Sequence, residues 1–99
     1  MAKKKPEHAA WLPPPYELAD VTALQALSRG EADKHQQERA LKWIIEQACG
    51  TYQMSFRPGP DGERDTVFAE GRRFVGLIIV EKLKLIVANL RRNDEISKV

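Results

Sequence analysis

The chain has 99 residues, 42% of them hydrophobic, which suffices for one domain with a modest core. Its 16 basic and 14 acidic side chains are mixed along the chain and leave a formal charge of only +2, too mild to indicate a nucleic-acid-binding protein. The single cysteine excludes an internal disulfide and indicates a reducing compartment. The chain starts without a signal-peptide pattern, and its longest apolar run, VGLIIV, is far shorter than the roughly 20 residues that cross a bilayer. We therefore expect a soluble protein with no membrane partner.

Residues 1–15 form the first segment, which holds four of the six prolines and the basic run KKK. This composition favours extended, polyproline-like chain over packed structure, so we expect a flexible arm. Trp11 and Leu12 lie directly before a proline triplet, and both are candidates for partner binding. A large aromatic side chain in such an arm either docks on a partner or folds back on its own domain, and the sequence leaves both interpretations open.

The domain itself is predicted to span residues 16–92 and to begin with two helices. The first is short: Asp20 can cap its first turn, and Gly30 can end it in the left-handed conformation. The second covers roughly residues 31–49 and ends at Gly50. Its apolar side chains recur every three or four positions, as in an amphipathic helix; they are Leu41, Ile44, Ile45 and Ala48.

A loop and a third, longer helix complete the predicted domain. Alternating prolines and glycines mark the loop, over residues 52–65. The third helix covers about residues 66–92, and residues 93–99 are left as a C-terminal tail. The predicted fold is all-α: a hairpin of the two longer helices, with the short N-terminal helix beside it and the Pro-rich arm in front.

Arg72 lies within the apolar side of the third helix, where an unpaired guanidinium would be costly. In an antiparallel hairpin, Glu38 of the second helix comes level with it. We therefore predict a structural ion pair between Arg72 and Glu38, with Asp65 or loop carbonyl oxygens as alternative partners. Arg73 points to the solvent side.

Two glycines in the third helix, Gly71 and Gly76, need a reason, because each weakens a helix by about 1 kcal/mol relative to alanine. Close approach of another backbone is the natural one. On the same broad side of the helix lie Phe68, Val75 and Ile79, which we assign with the two glycines to helix packing.

Three apolar side chains remain outside the predicted hairpin packing, namely Trp43, Leu77 and Val80. A chain this small has few layers with which to cover them, and oligomerisation is a common solution. We assign them to partner binding. The pattern indicates a helical protein that associates with itself or with another protein.

Residues 40–83 also resemble a small domain of tailed-bacteriophage proteins, of the Bordetella-phage type, whose function is uncharacterised. The resemblance lies in an apolar helix ending in Cys-Gly, an aromatic residue, Ser-Phe, a variable loop, and then an aromatic residue, Glu-Gly-Arg-Arg and Val-Gly-Leu. The matching positions are Cys49, Gly50, Tyr52, Ser55, Phe56, Phe68, Glu70, Gly71, Arg72, Arg73, Val75, Gly76 and Leu77. No activity accompanies this motif.

The resemblance implies a bacteriophage structural or assembly protein, located in the virion or in the host cytoplasm during assembly. Its expected partners are copies of itself or other phage structural proteins. The alternative is a small nucleic-acid-binding accessory protein for genome packaging, for which the possible contacts are Arg73, Arg91 and Arg92. The even mixing of acidic and basic side chains counts against that alternative.

No pattern in the sequence indicates catalysis, a cofactor or a metal site. His8 lies in the arm and His35 on a charged helix surface, with no second histidine at metal-ligand spacing. Cys49 lacks a recognisable base and is most simply a small buried residue. The acidic residues Asp61, Glu63 and Asp65 lack the number and spacing of calcium ligands. We expect a non-enzymatic protein.

Overall fold

The computed structural model describes residues 12–97, which form helices and connecting segments without any strand. The predicted all-α fold class is confirmed. A π-helical segment, Ile44–Ala48, continues directly from the second helix. The four α-helices in this range are α1 (Leu18–Ser28), α2 (Lys34–Trp43), α3 (Gly62–Lys84) and α4 (Val87–Ser97).

Helices α1 and α2 begin and end at identifiable capping residues. The N-cap of α1 is Glu17, whose backbone N–H donates to the Asp20 carboxylate at 2.8 Å, so Asp20 acts from inside the first turn. Gly30, at φ +71°, ends the helix as predicted, with the backbone N–H of Glu31 bonded to the carbonyl of Ala26. Helix α2 starts at residue 34, later than predicted, because Asp33 is its N-cap and accepts from the N–H of Gln36 at 2.8 Å.

Small side chains make the contact between α1 and α2. Ala23 and Ala26 of α1 are buried, as is Ala40 of α2, which allows the two helices to approach closely. Leu27 and Leu41, both assigned to apolar helix faces from the sequence, remain exposed. The interior of this helix pair is therefore small.

Helix α3 packs against the π-helical segment instead of α2, which differs from the predicted hairpin. The chain still reverses in a Gly/Pro-rich loop, but α3 starts at Gly62, earlier than predicted. A Cβ atom at Gly62 would lie 2.3 Å from the carbonyl oxygen of Arg57, so this glycine permits the tight loop-to-helix junction. The molecule is elongated, with extents of 65 × 34 × 17 Å.

The single long helix predicted over residues 66–92 is interrupted. Leu85 adopts extended backbone angles (φ −69°, ψ 144°), and α4 restarts with the N–H of Asn89 bonded to the carbonyl of Ile86. Neither proline nor glycine lies at the break, so no sequence signal predicts it. Helix α4 then continues to Ser97, into the residues predicted to be a tail.

Candidate functional site

The π-helical segment ends α2 in a wide turn that presents its last carbonyl groups to α3. The backbone N–H of Cys49 donates to the carbonyl of Ile44 at 2.9 Å, the spacing of a π-helix. Thr51 is buried, with 1% of its surface exposed. Its backbone N–H (3.2 Å) and its hydroxyl (2.6 Å) both donate hydrogen bonds to the carbonyl of Ile45. Gly50 lies between them at φ +59°, where a glycine is favoured. Helix α3 packs against this turn.

Gly76 is the residue at which α3 contacts the turn of Cys49, Gly50 and Thr51. A Cβ atom at this position would lie 1.7 Å from the Oγ1 atom of Thr51 and 2.9 Å from the Cβ atom of Cys49. The predicted packing role of Gly76 is therefore confirmed, with a turn in place of a second helix as its neighbour. We call the contact of Cys49, Gly50 and Thr51 with Gly76 and Arg72 the clasp.

Arg72 contributes to the clasp through hydrogen bonds to the end of the π-helical segment. Its Nε atom donates to the carbonyl of Ala48 at 3.0 Å, and its guanidinium also donates to the carbonyl of Gln47 at 3.1 Å. Carbonyls in the last turn of a helix have no partner within it, and a cation near them is favourable. The structural role predicted for Arg72 is retained, but the predicted partner is wrong: Glu38 is exposed on α2, against which α3 does not pack.

Arg73 is engaged with side chains of its own surroundings. It donates to Glu70 at 3.0 Å, one turn earlier on α3, and the same carboxylate accepts a hydrogen bond from the hydroxyl of Ser55. The hydrogen bond from Ser55, assisted by Arg73, lowers the pKa of Glu70 below its ordinary value. The Arg73 side chain is partly exposed, and its guanidinium is paired with Glu70 at the surface of α3, so its assignment to nucleic-acid contacts stays a prediction.

Several residues of the motif described for positions 40–83 lie close together in the structure. Cys49 and Gly50 contact α3, Ser55 bonds Glu70, and Arg72 bonds the end of the preceding helical segment. The motif maintains the angle between the π-helical segment and α3. Its geometry is that of a structural joint, and it places no nucleophile beside a base.

Trp43 has a partner within its own chain. Its Nε1 atom donates to the carbonyl of Pro15 at 3.0 Å, and its side chain is half-buried. The expectation that Trp43 is uncovered is wrong, because the side chain is half-buried and bonded to Pro15; its assignment to partner binding stays a prediction. Leu12 is also half-buried, whereas Trp11 lies outside the described residues, so its role stays a prediction.

Replacing Trp43 tests this attachment. Trp43→Phe keeps an aromatic ring and removes the donor, so we expect the free energy of unfolding to fall by about 1 kcal/mol. Chymotrypsin cleavage after the neighbouring Tyr16 should become faster as the segment detaches. Lys42→Ala, an exposed change on the same turn, is the control and should alter neither quantity. Unchanged cleavage in Trp43→Phe would contradict the attachment.

Beside this contact, Arg39 joins α2 to the start of α1. Its Nε donates to Asp20 at 2.8 Å and its terminal nitrogen to Glu17 at 3.0 Å. The backbone hydrogen bond from Glu17 is the main cause of the lowered pKa of Asp20, and Arg39 adds to it. The sequence analysis did not identify this pair of contacts, because the residues are about twenty positions apart.

The remaining packing assignments on α3 divide into two groups. Ile79 is half-buried, but Phe68 and Val75 are about half exposed, and Gly71 would have no atom within 4 Å of an added Cβ. The packing assignments of Phe68, Val75 and Gly71 within the chain are therefore wrong: these residues face away from the clasp. Of the residues predicted to be uncovered, Leu77 is exposed at 39% and Val80 is half-buried.

The described residues contain little that suggests chemistry. Cys49 is buried in the clasp, and His35 is exposed on α2. Within residues 12–97 no three His, Cys, Asp or Glu side chains lie close enough together to hold a metal ion. In the same range no helix has the length and apolar content that a membrane crossing requires. Arg91 and Arg92 are exposed on α4.

Comparison of the chain with protein-family models, with curated proteins and with solved structures finds no match in any of the three. The resemblance of residues 40–83 to the phage domain accordingly stays a prediction from the motif.

Proposed function

We propose that this chain is a non-enzymatic structural or assembly protein of a tailed bacteriophage. It would act as a helical interaction module that associates with itself or docks on a larger virion assembly, in the head, portal or tail region. The observation that carries this proposal is the apolar surface of α3 and α4, which the rest of the described chain leaves uncovered.

Eighteen large hydrophobic side chains within the described residues are exposed, and eleven of them lie between residues 67 and 90. In the part of the chain that the structure describes, six hydrophobic residues are buried, and four of them are alanines. Soluble proteins that act alone rarely leave a contiguous apolar surface of this kind open to water. A helix that is apolar on more than one face is typical of an element buried in a larger structure.

The phage assignment itself is supported by the motif resemblance. The contacts of the motif are compatible with a family defined by a structural joint, since Arg72, Gly76 and Cys49 hold two elements at a fixed angle. The packaging alternative has less support, because Arg73 is paired with Glu70, which leaves Arg91 and Arg92 as its proposed contacts.

Mass spectrometry of purified particles tests the proposal. Particles of the phage that encodes the chain are treated with nuclease, separated on a density gradient and analysed fraction by fraction. We expect the chain in the protein shells or partial assemblies, including those without DNA. Recovery only with nucleic acid, and loss of that binding as salt is raised, would favour the packaging alternative. Absence from every assembly fraction would overturn the proposal.

A further inference from the structure

Helices α3 and α4 are separated by Leu85 and Ile86, and neither residue is of a type that usually ends or begins a helix. Leu85, the C-cap of α3, has extended backbone angles and is not followed by glycine. Ile86 precedes the first residue of α4 and has no side-chain oxygen to accept hydrogen bonds from the N–H groups there. Most of the last carbonyl groups of α3 and the first N–H groups of α4 therefore depend on water.

No packing contact holds α4 in its bent position. Within residues 12–97, α3 packs against the π-helical segment, and α4 packs against no other helix. The side chains at the break are exposed, Leu83 at 60%, Ile86 at 63% and Val87 at 58%. Tertiary contacts that maintained the bend would bury some of these apolar groups. The bend is therefore a local feature of the backbone.

One row of side chains keeps the same spacing on both sides of the break. Its members follow one another in alternating steps of three and four residues; they are Ala69, Arg72, Gly76, Ile79, Leu83, Ile86 and Leu90. The first four are buried or half-buried on the clasp side of α3, and the last three are exposed. Steps of three and four keep residues on one side of an uninterrupted helix. The sequence therefore continues the clasp side of α3 through the break.

We propose that Leu85 and Ile86 form a hinge, at which the chain exchanges between the bent arrangement and one continuous helix from Gly62 to Ser97. The continuous helix pairs the carbonyl and N–H groups that the bend leaves to water. The β-branched side chains of Ile86 and Val87 oppose it, because they lose rotamer freedom in a helix. These opposing effects make the two forms close in free energy, so that both are populated.

The hinge determines whether the row is continuous. In the straight form Leu83, Ile86 and Leu90 extend the line of Ile79 along one side of the helix. In the bent form the extended backbone of Leu85 interrupts the helical repeat, and Ile86 and Leu90 leave that line. Straightening also gives α3 and α4 a joint length of about 50 Å, at about 1.5 Å per residue. This inference concerns the single chain and does not depend on the phage assignment.

A distance measurement between spin labels tests the exchange. Arg64→Cys and Arg92→Cys place labels at exposed positions on either side of the hinge, and the buried Cys49 is retained. A straight helix separates the two backbone positions by about 42 Å, at about 1.5 Å per residue, and any bend shortens this distance. We expect two distances in pulsed electron paramagnetic resonance at low protein concentration. The variant with Arg92→Cys alone shows whether any distance arises between chains.

Val87→Pro distinguishes the two forms. Residue 87 is the first residue of α4, where proline is favoured, so the bent form accepts this change. In the continuous helix the same proline lies in the interior, where it removes a hydrogen bond and clashes with the preceding turn. The longer distance should disappear in Val87→Pro and persist in the matched control Val87→Ala. Thermal unfolding of both variants should be like that of the labelled parent, because residue 87 lies outside the clasp.

Three results would overturn the hinge. A single short distance in the labelled parent would mean that the bend is rigid, and a single long distance would mean that the bent form is not populated. A long distance that survives Val87→Pro would arise from something other than a continuous helix. Two distances in the parent, with loss of the longer one in Val87→Pro alone, would support the exchange.

Discussion

Gly76→Ala should lower the free energy of unfolding by about 2 kcal/mol, because the new methyl group overfills the clasp. The added Cβ would overlap the Oγ1 atom of Thr51 at 1.7 Å. Either α3 moves away from the turn, or Thr51 gives up its 2.6 Å hydrogen bond to Ile45. The better helix propensity of alanine, about 1 kcal/mol, offsets only part of the cost.

Gly71→Ala is the matched control, five residues earlier on the same helix. It adds the same methyl group where no atom lies within 4 Å, so the propensity gain should remain and raise the free energy of unfolding by about 1 kcal/mol. Both variants are measured by urea unfolding followed by circular dichroism, at one low protein concentration. Equal effects of the two substitutions would contradict the close contact at Gly76.

Arg72→Met should lower the free energy of unfolding by about 2 kcal/mol, the scale for hydrogen bonds made by a charged group. The substitution retains an apolar stem but leaves the carbonyls of Ala48 and Gln47 without this donor. The last turn of the π-helical segment then loses its cationic partner. The turn should loosen while α1 and α2, against which α3 does not pack, stay together.

Two neighbouring substitutions make this test specific. Arg73→Ala removes an exposed i,i+3 ion pair with Glu70 and should cost less than about 1 kcal/mol. Glu38→Ala should leave stability unchanged, because Glu38 is exposed and lies on a helix that α3 does not touch. If Glu38→Ala and Arg72→Met were equally destabilising, the carbonyl assignment would be refuted.

At the helix ends and in the clasp, some features can be predicted from residues that are close together in the sequence, and others cannot. Gly30 and Gly50 were predicted to end helices, and both adopt positive φ there, because this conformation is required locally and is largely restricted to glycine. Arg72 was predicted to be structural from its place among apolar residues, which holds. Its partners could not be predicted, since the carbonyls of Ala48 and Gln47 become available only when the helix ends in a π turn.

The helical wheel of α3 shows where the sequence is ambiguous. Phe68, Val75, Gly71 and Gly76 all fit an apolar side, but only Gly76 meets its own chain. A helix with apolar residues on two faces gives no local indication of which face is buried within the molecule. Which face of α3 is buried depends on the direction in which the chain leaves the turn at Thr51.

The sequence by itself determined the all-α class, the helix ends at glycine, and the presence of a glycine contact in α3, because these depend on residues close together in the chain. Only the tertiary structure decided that α3 packs against a π turn, that Trp43 donates to the carbonyl of Pro15, and that the apolar side chains around Phe74 on α3 remain exposed. Each of these depends on contacts between residues distant in sequence, and helical periodicity specifies a face without specifying what covers it.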